Sequence, residues 1–184
     1  VGLPLPRVEA RITDEKTGET LKSNQTGNLE VRGPNVFKGY WRMPEKTKNE
    51  FRNDGFFITG DIAQIDAEGY VTIVGRAKDL IISGGYNVYP KEIEIQIDVL
   101  EGVMESAVIG APHPDFGEAV IAVVVCAKGK ITTAEKIQSA LKINLANFKC
   151  PKAIFFLEGL PRNTMGKVQK NELRKQYEKT FHKI

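Results

Sequence analysis

The stretch Gly75-Arg76-Ala77-Lys78-Asp79-Leu80-Ile81-Ile82-Ser83-Gly84-Gly85-Tyr86-Asn87-Val88-Tyr89-Pro90 decides the fold, because the hydrophobic pattern changes across it. Before it, the signals are those of strands. Val8, Ala10 and Ile12 alternate with polar residues, Asp14 to Gly18 supplies turn chemistry, and Asn28 to Arg32 alternates again. Ile62 to Ile65 and Tyr70 to Val74, joined by Asp66-Ala67-Glu68-Gly69, read as a hairpin. One short helix is expected after Pro44, since proline suits the first helical position and Glu45 meets its positive end. Residues 1–77 therefore read as a small sheet or β-barrel-like subdomain.

Beyond the decisive stretch the pattern is mixed. Leu80 to Ser83 reads as a short strand ended by Gly84-Gly85, and a helix from near Pro90 places Ile93, Ile97 and Leu100 on one face and stops at Gly102. Strands follow at Glu105 to Ile109 and Ala119 to Ala127, separated by Ala111-Pro112-His113-Pro114. Thr132 with Glu135 three residues on reads as a capping box opening a helix through Ile137, Leu141 and Leu145. Ala153 to Leu157 is a further strand, and Pro161 to Lys167 is a loop leading to a last helix with Leu173 and Tyr177. Residues 78–184 are expected to form a compact α+β domain of three strands and three helices.

The 184 residues, 41% hydrophobic and 27% charged, have globular composition and length enough for one large domain or two small ones. The longest apolar run, Ala119 to Ala127, falls well short of the roughly 18–20 residues of a membrane-spanning helix. Cys126 and Cys150 make neither a disulfide framework nor a zinc motif, so no metal site is expected, and a reducing cytosol is the expected compartment. The net charge of +3 is uneven: residues 128–184 carry 13 Lys and Arg against 4 Asp and Glu. That surplus suits either solvated helix faces or a phosphorylated ligand, while no Arg-rich, aromatic-interleaved stretch points to nucleic acid. The chain opens on Val1-Gly2-Leu3-Pro4, which reads as the middle of a connection and hence as part of something longer.

Common catalytic motifs (GxxxxGK[ST], GxGxxG, HExxH) are absent, and the two histidines, His113 and His182, read as surface residues. Four segments stand out instead: Gly27 to Trp41, Phe57-Ile58-Thr59-Gly60-Asp61, Gly75 through Pro90 to Glu92-Ile93-Glu94, and Pro161-Arg162-Asn163-Thr164-Met165-Gly166-Lys167. In this order and spacing they resemble, over essentially the whole chain, the C-terminal part of the acyl-adenylating superfamily of acyl-CoA synthetases, peptide-synthetase adenylation domains and luciferases. Residues 41–47, 54–61 and 161–170 are similar to bacterial malonyl-CoA synthetases in particular.

The resemblance implies an ATP-dependent acid–thiol ligase converting a carboxylate, with malonate indicated, to its CoA thioester through an acyl-adenylate. It matches Asp61 and Arg76 to ribose contacts of ATP, Lys78 to the hinge of a mobile C-terminal domain, and Gly84, Gly85 and Tyr86 to the CoA pantetheine tunnel. Lys167 matches the catalytic lysine that also contacts ATP. It further implies an N-terminal domain of the same enzyme as partner, carrying the phosphate loop, the Mg2+ ligands and the acyl pocket, so the chain alone is expected not to adenylate.

Read without the resemblance, Asp61 could equally be a turn aspartate bonding its own backbone, Arg76 a surface ion pair, Lys78 a linker lysine, and Lys167 a solvated loop lysine. Gly84-Gly85 could be a turn into the Pro90 helix. Where several synthetases carry an arginine after this loop the chain has Asn87, so that contact to the CoA nucleotide is not expected. A synthetase for an aryl or fatty acid, or a non-catalytic binding module on the same fold, remain as other readings.

Overall fold

A computed structural model describes residues 1–182 and divides the chain into two compact units, Val1–Lys78 and Asp79–Ile184. The first is built on an antiparallel meander of β1 (Glu9–Thr13), β2 (Gly27–Arg32), β3 (Phe57–Ile65) and β4 (Val71–Arg76), with α1 (Pro44–Glu50) between β2 and β3. Pro44 opens α1 with Glu45 in its first turn. The sheet runs in the order β1-β2-β3-β4 and stays open, so it is a sheet and not a closed barrel. Its apolar core is small: Ile12, Leu29, Ala63 and Val71.

Polar groups supplement that core. Glu30 is fully buried, yet its carboxylate accepts hydrogen bonds from Thr13 Oγ1 (3.0 Å), Arg11 Nε (2.9 Å) and Arg52 Nε (2.8 Å). Arg11 reaches on to Asp54 at 2.6 Å and lies over the Phe56 ring at 3.9 Å. Burying a carboxylate is tolerable because two guanidinium groups and a hydroxyl satisfy it.

The second unit has five strands, against the total of three expected and the four segments read as strands: β5 (Ile81–Ser83), β6 (Tyr86–Val88), β7 (Val103–His113), β8 (Gly117–Cys126) and β9 (Ala153–Leu157). The strand hidden from the sequence is β6. Gly84 and Gly85, at φ +57° and +82°, do not merely break β5; they are the two-residue turn of a β5–β6 hairpin, in which both residues need positive φ. Also, β5 begins at Ile81.

Strand β8 sits in the middle, antiparallel to β7 over Val103–Cys126 and parallel to β9. Its continuous apolar run is explained by cover on both faces. Val120, Ala122 and Val124 pack with Ile93 and Ile97 of α2 (Pro90–Asp98) and with Ile137 and Leu141 of α3 (Ala134–Asn144). Ile121, Val123 and Val125 point the other way, with Leu173 of α4 (Lys170–Tyr177). The period of two divides one strand between two cores.

Two details differ from the sequence reading. The cap of α3 is Thr133, whose Oγ1 accepts from Lys136 N; Thr132 lies one residue outside and is buried. Glu135, bonded to its own backbone N–H and to Thr133, has its carboxyl held below the usual range. His113 is not a surface turn residue. It ends β7, its side chain is 16% exposed, and it stacks on Phe116 at 4.5 Å and leans on Phe181 at 5.0 Å. His182 is exposed. Among the described residues no helix is long and apolar enough to cross a membrane.

Candidate functional site

In the first unit, Asp61 lies inside β3 rather than on a turn at its end. The partners Glu30↔Ile58 and Asn28↔Ile62 show that β3 inserts extra residues at Thr59-Gly60-Asp61. Such bulges re-aim side chains. Gly60, at φ +74°, makes the kink, and Thr59 pins it: its Oγ1 donates to Leu29 O (2.9 Å) and accepts from Asp61 N (3.0 Å).

Arg76 lies directly opposite Asp61 in the β3–β4 register, and its Nε meets Asp61 Oδ1 at 2.8 Å. The surface ion pair is therefore formed. Asp61 does not spend its carboxylate on its own backbone, and Oδ2 is left without a partner among the described residues. With side-chain exposures of 54% for Arg76 and 21% for Asp61 the pair is screened, worth about 0–1 kcal/mol. Hydroxyls hydrogen-bonding to the carboxylate, at about 1.5–3 kcal/mol each, outweigh it. The arrangement can accept a vicinal diol beside a fixed positive charge.

Lys78 is exposed in a short 3-10 turn, Ala77–Asp79, at the boundary of the two units. The next residue, Asp79, is tied down by Arg174 of α4 at 2.8 Å.

In the second unit, the Gly84-Gly85 turn is pinned beside the β7–β8 turn. Gly84 N donates to Phe116 O (2.9 Å), and Ile82 N donates to Glu118 Oε2 (2.9 Å). Tyr86, 59% exposed, stacks on Phe148 at 4.6 Å. Gly84, Tyr86, Phe116, Phe148 and Lys152 are among the residues lining a groove of about 470 Å³, and Gly85 is not. Lys152 Nζ stands over the Phe116 ring at 5.6 Å. Three rings, exposed glycine backbone and one ammonium make a groove suited to a long, flexible, partly apolar chain ending in anionic groups. Phe116, Phe148 and Lys152 escape sequence reading because they come from two separate connections, β7–β8 and α3–β9, and share no motif spacing.

Lys167 is exposed, but its loop is not a floppy one. Gln169 N donates to Pro161 O (2.8 Å), Arg162 bridges to Val168, and Asn163 N donates to Lys167 O (3.0 Å). The segment is a tight hairpin whose turn contains Gly166 at φ +78°. Arg162 Nη1 donates to Gly166 O (2.6 Å), and its other amino group pairs with Glu105 of β7. The Lys167 ammonium has no partner among the described residues, whereas Lys149 and Lys170 are held by Glu92 and Glu94. No group of three or more His, Cys, Asp or Glu among the described residues could hold a metal ion.

The AMP-binding enzyme C-terminal domain matches residues 92–167, and the AMP-binding enzyme family matches residues 1–41. The rat mitochondrial medium-chain acyl-CoA ligase ACSF2 is 42% identical over 97% of the chain, and a feruloyl-CoA synthase from Amycolatopsis is 43% identical over 96%. The ATP-bound crystal structure of MatB from Rhodopseudomonas palustris superposes on 98% of the chain with a TM-score of 0.94 at 60% identity. The chain spans about a third of the length of these proteins: 29%, 35% and 36% respectively. The chain belongs to the AMP-binding, acyl-adenylate-forming enzyme family, of which it is a C-terminal part.

Proposed function

We propose that the chain is the C-terminal portion of an ATP-dependent acyl-CoA synthetase that converts malonate, ATP and CoA to malonyl-CoA, AMP and pyrophosphate. The observation that carries the reading is Lys167, a cation whose backbone is fixed in a hairpin while its ammonium stays unpartnered. In the first half-reaction a carboxylate oxygen attacks the α-phosphorus of ATP and pyrophosphate leaves. Two anions approach and charge builds on the phosphoryl oxygens; an ammonium donating to both relieves that cost. Asp61 accepts from the ribose hydroxyls and Arg76 adds charge beside them. In the second half-reaction the CoA sulfur attacks the acyl carbon, the thiol proton is lost to solvent and AMP departs. Splitting the acylation in this way makes each step easier.

The groove lined by Gly84, Tyr86, Phe116, Phe148 and Lys152 receives CoA in this reading. Lys152 supplies a positive group in the groove, which Asn87 does not line. Lys78 serves as the hinge between the two stages. Its exposure and short 3-10 turn let it change backbone conformation without disturbing either core.

Mg2+, the acyl pocket and the phosphate loop are assigned to an N-terminal domain of the same enzyme, as fits a chain one third the length of its relatives. A cytosolic location is part of the proposal, on the free thiols Cys126 and Cys150.

Malonate rests on the likeness of residues 41–47, 54–61 and 161–170 to malonyl-CoA synthetases. A second reading, an aryl or fatty acid, is favoured by the feruloyl-CoA synthase and medium-chain ligase relatives. ATP–pyrophosphate exchange decides. The intact parent polypeptide should exchange with malonate and far less with ferulate or octanoate, and this chain alone should not exchange. Preference for ferulate or octanoate overturns malonate. No exchange with any carboxylate overturns the synthetase in favour of a binding module.

A further inference from the structure

Both backbone groups of Lys167 are bonded to a single residue. Its N–H donates to Asn163 Oδ1 at 2.9 Å, and its carbonyl accepts from Asn163 N at 3.0 Å. The same Oδ1 accepts from Met165 N at 3.0 Å, and Gly166 N donates to Asn163 O at 2.9 Å. Asn163 thus bonds to three successive turn residues, two of them through one side-chain oxygen. Its neighbour Arg162 ties the turn to the sheet through Gly166 O and Glu105. The hairpin lies at the surface, with residues 162–167 all exposed, so no packing would hold Lys167 if these bonds were lost.

We infer that Asn163 is a positioning residue for adenylation, fixing the peptide that carries Lys167 so that its ammonium is delivered with little conformational search. This rests on the role proposed for Lys167. A side-chain acceptor three bonds from Cα is what the geometry uses; alanine removes both acceptor bonds and leaves only the backbone pair. Displacing a catalytic group by about 1 Å can cost about 100-fold in rate. A hairpin that merely stabilised the fold would not confine its effect to one half-reaction.

The test uses the intact synthetase with Asn163→Ala, Asn163→Asp, Lys167→Ala and the Asn163→Ala/Lys167→Ala double variant. Asn163→Ala should slow adenylation about 10–100-fold. Thioester formation from supplied acyl-adenylate and the KM for ATP should stay within about threefold, and Asn163→Asp, which keeps the acceptor, should recover most of the rate. Because Asn163 acts through Lys167, the double variant should be no slower than Lys167→Ala alone. Losses that multiply, a loss shared by both half-reactions, or an Asn163→Ala enzyme at full rate beside an inactive Lys167→Ala would each overturn the inference alone. A Lys167→Ala enzyme that adenylates normally would overturn the role of Lys167 itself.

Discussion

The two units solve the same problem with different materials. In Asp79–Ile184, strand β8 is apolar on both faces and feeds two cores, one with α2 and α3 and one with α4. In Val1–Lys78 the buried apolar cluster is small, Ile12, Leu29, Ala63 and Val71, and a buried carboxylate with its arginines does much of the joining. Chemistry is presented differently too. Asp61 and Arg76 are held by strand register, whereas Lys167 is held by one side chain folded back on a surface turn. Register would make a rigid contact for the ribose of the proposed reaction, which only needs holding. A hairpin leaves the lysine ammonium exposed and free, as the proposed role in one half-reaction and withdrawal in the other would require.

The contrast can be broken at three points. Leu173 is fully buried in the core beneath α4, so Leu173→Ala should cost about 3–4 kcal/mol, mid-range for such truncations. The loss should appear as faster amide hydrogen exchange in β7 and β8 with residues 9–76 unchanged. Next, Glu30→Ala removes the shared acceptor of Arg11, Arg52 and Thr13. Breaking a buried pair costs about 3–5 kcal/mol, but Arg11 keeps Asp54 and Arg52 is 38% exposed, so about 3 kcal/mol is expected. Exchange should then quicken in β1 to β4 only. Unaltered protection there would mean that the charges do not hold the sheet.

The smallest effect is on acid stability. The Asp54 carboxyl is held low by its hydrogen bond to Arg11, and Glu9 by Arg32. Depressed carboxyl groups stabilise the fold above their unfolded values of about 3.9 and 4.3, and that contribution fades as pH falls through the lower folded values. Residues 9–76 should therefore lose protection below about pH 4, and Asp54→Asn should flatten that decline. An unchanged acid profile in Asp54→Asn would remove Asp54 from the account.

Much of this was readable from residues alone, for physical reasons that differ by place. Pro44 and Pro90 open helices because their fixed φ and missing N–H suit a first turn. The run Ala119 to Ala127 betrays a strand covered on both sides. Asp61, Arg76, Gly84, Gly85, Tyr86 and Lys167 are singled out by the resemblance of four ordered segments to the acyl-adenylating superfamily, not by their residue types alone. What stayed hidden depends on distant partners. Strand β6 is three residues long and pairs only because two glycines reverse the chain. Barrel closure is a matter of whether β1 meets β4, which alternation does not encode. His113 has no apolar pattern, yet Phe116 and Phe181 enclose it. Asn163 reads as an ordinary turn residue until its oxygen is seen bonded to the lysine peptide.

The most direct measurement compares the two half-reactions of the intact synthetase carrying Lys167→Ala. Adenylation, followed by ATP–pyrophosphate exchange, should fall by about 10²–10³ or more, as when a single preorganised donor to a developing charge is removed. Thioester formation from supplied acyl-adenylate should stay near the unmodified rate. Equal losses in both, or exchange at full rate, would contradict the role given to this lysine.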